Sequence, residues 1–120
     1  MNGIENLPKL RKLRLATNKI STLDFVPNLP NLQKLDIKEN QVAKITEFGK
    51  LKFPNLFKIT VSANPCSDEV GAGIKTEILI LFEDFNIRFI NKEEVTKEEK
   101  EEAVNVKIER IKKDAEVILK

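Results

Sequence analysis

One pattern recurs along the first half of the chain and restricts its fold more than any other feature. "LRKLRLATNKI" runs from Leu10 to Ile20, "LQKLDIKENQV" from Leu32 to Val42, and "LFKITVSANPC" from Leu56 to Cys66. The three starts lie 22 and then 24 residues apart. Each copy follows L-x-x-L-x-L-x-x-N, with Ile or Val standing for Leu in places. A single copy would carry little weight. Three in register at that period are the mark of stacked supersecondary units.

The template has a direct physical reading. Within each copy a short strand alternates its side chains between two faces. Leu13 and Leu15, with Leu10 beside them, point inward, as do Leu35 and Ile37, then Ile59 and Val61. Lys12 and Arg14, Lys34 and Asp36, then Lys58 and Thr60 point outward. One such strand cannot bury its apolar face alone, so the copies must stack as parallel strands around a continuous core. The Asn in each copy answers a different need. After the strand the chain turns against the next copy, where backbone N–H and C=O groups lose water and need partners. An amide on a short stem offers both donors and an acceptor. Asn18, Asn40 and Asn64 are therefore expected to form a structural ladder.

The segments between strands supply the opposite, convex layer. Leu23, Val26 and Leu29 do so in one copy, and Ile45, Phe48, Leu51 and Phe53 in the next. Pro30 and Pro54 stand two residues before the following Leu. Proline there stops a helix and favours extended entry, so short turns or 3₁₀ pieces are expected. The two extra residues of the second copy fall around Thr46 to Lys50. Ile4, Leu7, Pro8 and Leu10 match Val26, Leu29, Pro30 and Leu32. The chain thus enters inside a repeat, and the edge of its first strand is expected to be covered by another chain or by missing sequence.

Composition excludes several classes of function. One Cys with no His and no Trp rules out zinc clusters, disulfide frameworks and the usual His-activated nucleophiles. No cofactor is expected, and the chain reads as a binding protein rather than an enzyme. No run approaches a membrane span, so a membrane role is not expected. Cys66 reads as a reduced thiol packed beside the last repeat, in an intracellular compartment.

Charge is split along the chain. Residues 1–65 hold 11 basic and 5 acidic side chains, and residues 66–120 hold 10 and 14, so the repeat half is the basic one. The strand face predicts a protein-binding surface of Lys12, Arg14, Lys34, Asp36, Phe57 and Lys58, with Phe89 near it. Such a face attracts acidic protein tails or nucleic acid. Few exposed aromatics accompany it, which argues against direct reading of nucleic acid.

After the third copy, "IKTEILILFEDF" spaces Ile74, Ile78, Leu81, Phe82 and Phe85 as a short helix would, although "ILILF" also suits a buried strand. "NIRFI" offers a fourth, irregular strand on Ile87 and Ile90. Thr96 and Glu99 have capping-box spacing, with Val95 placed to staple back. One helix is expected over about residues 97–119, roughly 35 Å long. Acids gather at its start, Lys112, Lys113 and Lys120 near its end, and Glu109 and Lys113 are spaced to pair. Val104, Ile108, Ile111, Ala115 and Ile118 follow heptad spacing and predict a protein-binding seam. Its early part, to about Val106, is expected to fold back on the repeats. The resulting division is residues 1–92, repeats with a cap, and residues 93–120, an amphipathic helix.

These repeats resemble the 22-residue class of intracellular leucine-rich repeat proteins. The end is similar to their C-terminal cap, written P-x-L-x-x-L-D-G-x-x-V-T-x-E-E, and here reads "FNIRFINKEEVTKEE". Ile87 and Ile90 match its leucines, Val95 and Thr96 its V-T, and Glu98 and Glu99 its acids. Asn91 replaces the Asp, and Lys92 replaces the Gly of its tight turn. The resemblance implies an α/β solenoid: a short leucine-rich repeat stack of three full repeats with parallel strands on the concave face, an irregular cap and a long C-terminal helix. "ITEFGKLKFPNL" and "NPCSDE" resemble ciliary members of radial-spoke and axonemal dynein type. That implies a non-catalytic scaffold in the axoneme whose partners are other protein subunits. The alternatives are a nuclear adaptor supporting an RNA-binding protein and a phosphatase regulatory subunit, in the nucleus or cytoplasm.

Overall fold

The computed structural model describes residues 9–24, 26, 29–82 and 85–119, with side chains through position 115. The entry segment at Ile4, Leu7 and Pro8, with the expected cover for the first strand edge, lies outside the described residues, as does the side chain of Ile118.

Three short strands form where the template places them: β1 (Lys12–Arg14), β2 (Lys34–Asp36) and β3 (Lys58–Thr60). They pair in parallel, with Leu13 opposite Leu35 and Leu35 opposite Ile59. The equal places of these residues within their repeats set this register. A slip of one residue would turn each apolar side chain out of the core. β4 (Phe89–Ile90) adds to β3 in parallel, and β5 (Glu93–Glu94) folds back antiparallel on β4, giving a five-stranded sheet in chain order.

The core lies between this sheet and the convex layer. Leu35, Ile37, Ile59, Val61 and Ile90 meet Leu23, Leu29, Phe48, Leu51 and Phe53, all buried. The convex layer differs from repeat to repeat. The two-residue excess of the second copy is taken up in a 3₁₀ helix, Ile45–Lys50, which drives Phe48 into the core. Behind the third strand the layer is helical, with α1 (Pro65–Val70), a 3₁₀ turn at Gly71–Gly73, and α2 (Ile74–Leu81). α2 settles the ambiguity of "ILILF" in favour of helix, burying Ile78, Leu79 and the following Phe82. α1 was not anticipated, although Asn64 before it and Pro65 at its first position are ordinary helix-start residues. It ends at Gly71, whose φ of 66° suits a residue without Cβ.

α3 spans Lys97–Leu119. Its start is a reciprocal capping box: the Glu99 N–H donates to Thr96 Oγ1 (3.1 Å), and the Thr96 N–H donates to Glu99 Oε1 (2.9 Å). Val95, just before it, is buried in the main core. Glu109 lies 3.9 Å from Lys112, one residue short of the expected partner Lys113. Among the described residues no helix is long and apolar enough to cross a membrane.

Candidate functional site

Every second residue of the stacked strands faces the concave side, so the register builds two rows of side chains there. The first row is Lys12, Lys34, Lys58 and Phe89, and the second is Arg14, Asp36 and Thr60. Adjacent strands stand about 4.8 Å apart, which brings the lysines into one electrostatic field. These side chains line a groove of about 200 Å³ that Lys38 and Lys92 also enter. The groove thus gathers Lys12, Arg14, Lys34, Lys38, Lys58 and Lys92 around one carboxylate, Asp36. Arg14 lies 3.8 Å from Asp36, and the Asp36 carboxylate also accepts the N–H of Lys38 at 3.1 Å.

Phe57 lies apart from this set. It stands one position before β3, so alternation turns it away from the side of Lys58. It lines a separate surface hollow with Pro54, Asn55 and Arg88. Lys38 and Lys92 were missed. Lys38 continues the alternation from Lys34 and Asp36 and was legible from it. Lys92 depends on the β4–β5 hairpin, whose turn the Gly replacement obscured.

That turn forms without glycine. Asn91 and Lys92 both take left-handed backbone angles, φ 52° and 69°. Two such residues in succession make the tight turn that matches strand twist, a place where Asn-Gly is the favoured pair. Asn91 has a second task, as its Oδ1 accepts the Val61 N–H at 2.8 Å.

The three repeat asparagines are not equivalent. Asn64 is fully buried and donates to the carbonyls of Ile37 (3.0 Å), Val61 (3.0 Å) and Ser62 (3.3 Å), while its Oδ1 accepts the Val42 N–H at 3.1 Å. Asn40 repeats that arrangement one layer earlier, with the carbonyls of Leu15, Ile37 and Lys38 and the N–H of Ile20. Asn18 is exposed and, among the described residues, donates within its own turn, to Leu15 and Ala16. The residue before each Asn (Thr17, Glu39 and Ala63) takes a positive φ of 57–59°. The turn therefore carries backbone strain that the amide bonds hold in place.

The second predicted surface is the α3 seam. Val104, Ile108 and Ile111 are 56%, 42% and 57% exposed, and Ala115 is exposed as well. The expected fold-back of this seam does not occur at Val104. Ala103 is the buried residue of α3, and Val106 and Lys107 are half-buried. The line of Glu99, Ala103, Val106 and Arg110 lies roughly 140° around the helix from the seam. Ion pairs secure that line to α2 at both ends. Lys75 reaches Glu99 at 3.1 Å and Glu93 at 2.9 Å, and Arg110 makes a two-pronged pair with Glu77, one arm 3.1 Å long.

Charge elsewhere is structural. Lys50 joins Asp24 (2.6 Å) and Glu47 (2.8 Å), and Glu47 accepts the Leu23 N–H, which ties two repeats together. The Lys50 ammonium, then the Leu23 N–H, hold the Glu47 carboxyl below the usual range. Cys66 is buried, and burial pushes its thiol up, away from the reactive thiolate. Among the described residues no group of His, Cys, Asp and Glu side chains is arranged to hold a metal ion.

A model of leucine-rich repeats in two copies matches residues 8–52. No curated protein sequence matches the chain. Solved structures similar in fold include the following two. A chain of the Drosophila melanogaster SNF/U2A' complex is 16% identical with a TM-score of 0.58, over 83% of this chain and 70% of that one. A chain of the Chaetomium Mex67:Mtr2 subunits is 20% identical with a TM-score of 0.56, over 80% of this chain and 63% of that one. This chain therefore spans less than two thirds of the second, and at such identities the likeness is one of fold alone. The chain thus carries leucine-rich repeats and folds as a short leucine-rich repeat solenoid with a C-terminal helix.

Proposed function

We propose that the chain is a non-catalytic protein-interaction scaffold whose concave strand face receives an acidic segment of a partner. The observation that carries this reading is the groove of six cations around one carboxylate. Three of these cations share one strand row, Lys12, Lys34 and Lys58, on strands too short to flex independently. Concave strand faces are the extended binding surfaces of solenoids. Rows of fixed like charge speed encounter with an opposite charge and discriminate against like-charged partners.

A Glu- and Asp-rich peptide, titrated against the full chain by fluorescence anisotropy, tests the reading. Charge reversal at Lys34 and Lys58 together is expected to weaken binding by about tenfold or more, with the loss shrinking as salt rises. Unchanged affinity in that variant would discard the concave face as the site.

Within this reading the finer placement is a structural subunit of a ciliary complex such as a radial spoke. It rests on the resemblance of "ITEFGKLKFPNL" and "NPCSDE" to ciliary members. The competing placement is a nuclear adaptor for an RNA-binding protein. It draws on the same basic groove and on the shared fold with a chain of the SNF/U2A' complex. Co-purification of a tagged full chain with axonemes, or with nuclear ribonucleoprotein, separates the two. A phosphatase regulatory subunit has no residue in this chain that favours it.

A further inference from the structure

The lysine row of the concave face does not end in lysine. The parallel register carries it from Lys12 through Lys34 and Lys58 to Phe89. The antiparallel step from β4 to β5 then sets Glu94 opposite Phe89. Residues directly opposite each other in such a pair point to the same face. The row therefore reads three ammoniums, then an aromatic ring, then a carboxylate. Glu93 follows the alternation: it opposes Ile90, turns to the other face, and meets Lys75 of α2 there at 2.9 Å. With strands about 4.8 Å apart, the row runs roughly 19 Å, the length of about six extended residues.

Lys12, Lys34 and Glu94 are exposed, and Lys58 and Phe89 are half-buried, so the row is open to an occupant along its length. Lys38 and Lys92 enter the groove from beyond the C-terminal ends of β2 and β4. They border the row along one side and do not extend it. Arg14 and Asp36, in the second row, stand 3.8 Å apart and offset each other. The sign of the charge thus changes along the row itself, across an apolar step. A uniformly acidic segment gains at the three lysines and is repelled at Glu94. So is a nucleic-acid strand, whose phosphates repeat one charge along its length. An occupant that gains along the whole row changes sign as the row does.

We propose that the concave face takes a protein segment that runs from acidic residues through an apolar one to a basic one. The acids meet Lys12, Lys34 and Lys58, the apolar side chain covers Phe89, and the base meets Glu94. This rests on the reading of the concave face as the binding surface and adds an order to it. The partner is recognised by the arrangement of its charges as well as by their sum. Opposite charges at the two ends fix the register, because the reversed placement sets like charges face to face.

The test is fluorescence anisotropy on the full chain at low salt with four labelled probes. These are an ordered peptide of three Glu, one Leu and two Lys, a shuffled peptide of the same residues, an acid-only peptide with Glu in place of both Lys, and an oligouridylate of similar length. The ordered peptide is expected to bind at least about fivefold tighter than the shuffled one. Glu94→Lys, at an exposed position, is expected to shift the ratio of the two affinities by at least about fivefold from the ordered toward the acid-only peptide. Replacing the Leu of the ordered peptide by Ser is expected to cost about threefold or more against the natural chain and nothing against Phe89→Ala. Four results would overturn the proposal: equal affinity for the ordered and shuffled peptides, a ratio that Glu94→Lys leaves unchanged, a Leu cost that persists in Phe89→Ala, or an oligouridylate that binds more tightly than every peptide. If ordered and shuffled peptides bind equally and both are lost when Lys34→Glu and Lys58→Glu are combined, the acidic-segment reading stands and the order alone falls. If no peptide binds, both fall.

Discussion

Asn64 commits every polar atom of its amide to the backbone of two neighbouring layers, in a site without water access. Removing it strands the Val42 N–H, while the carbonyls of Ile37, Val61 and Ser62 keep Asn40, Ser67 and the Glu39 N–H as donors. Asn64→Ala is therefore expected to cost about 1–3 kcal/mol, the cost of one buried donor left unpaired. Asn18→Ala changes an exposed turn and is expected to cost less than about 1 kcal/mol. Urea unfolding of the two variants side by side measures the difference, and equal losses would refute the unequal roles. Lys92 is the opposite case, a residue that opposes its own backbone. With φ at 69° and no glycine, Lys92→Gly is expected to raise stability by about 0.5–1 kcal/mol. A thermal melt reads this directly, and a lowered midpoint would mean that the turn prefers its present residue.

The elements owe their stability to different sources. β1 to β3 are three residues each, too short to persist alone, and exist because each buries its inner face against the next. α3 has a local start signal, and among its described side chains Ala103 and Arg110 tie it to the body. Thr96→Ala breaks the capping box and is expected to cost about 1 kcal/mol. The loss should appear as faster hydrogen exchange in the first turns of α3, with the β2 and β3 amides little changed. Uniform acceleration across the sheet would show that the helix start and the repeats unfold together. Residues 108–115 of α3 are exposed, and apart from the Arg110–Glu77 pair they depend on helix propensity.

At the scale of the whole molecule the shifted carboxylates and lysines all gain from their partners in the fold. The Thr96 N–H, then Lys75, lower the pKa of Glu99, and Lys50 lowers those of Asp24 and Glu47. Their stabilisation is present above the ordinary carboxylate range and drains as pH falls through the lower folded values. Lys50 is raised by Asp24 and then Glu47, and Lys75 by Glu93 and then Glu99. Their stabilisation is complete below the ordinary lysine value and is lost as pH rises through the higher folded values. Stability is therefore expected to hold a plateau between about pH 5 and 8 and to fall on both sides, the buried Cys66 thiol adding its loss above the ordinary thiol value before the lysines do. Urea midpoints across that range check it, and a steep slope near neutrality would contradict it.

The strands, their register, the capping box and the limits of α3 were legible in the residues, because each is written in local spacing: a period of two, a period of about 22, or a Thr three residues before a Glu. The cationic row was legible for the same reason, since alternation alone carries Lys12, Lys34 and Lys58 to one side. Periodicity could not say which stripe of α3 meets the body. Val104 and Ala103 are one residue apart, and packing against α2, together with the Arg110–Glu77 and Lys75–Glu99 pairs, turned the smaller side chain inward. The tight turn at Asn91 and Lys92 was likewise decided by distant partners. The β4–β5 pairing and the Asn91–Val61 bond hold a left-handed lysine that its own backbone preference opposes. Asn18 and Asn64 occupy the same place in the template, yet burial distinguishes them, and burial exists only once the layers have stacked.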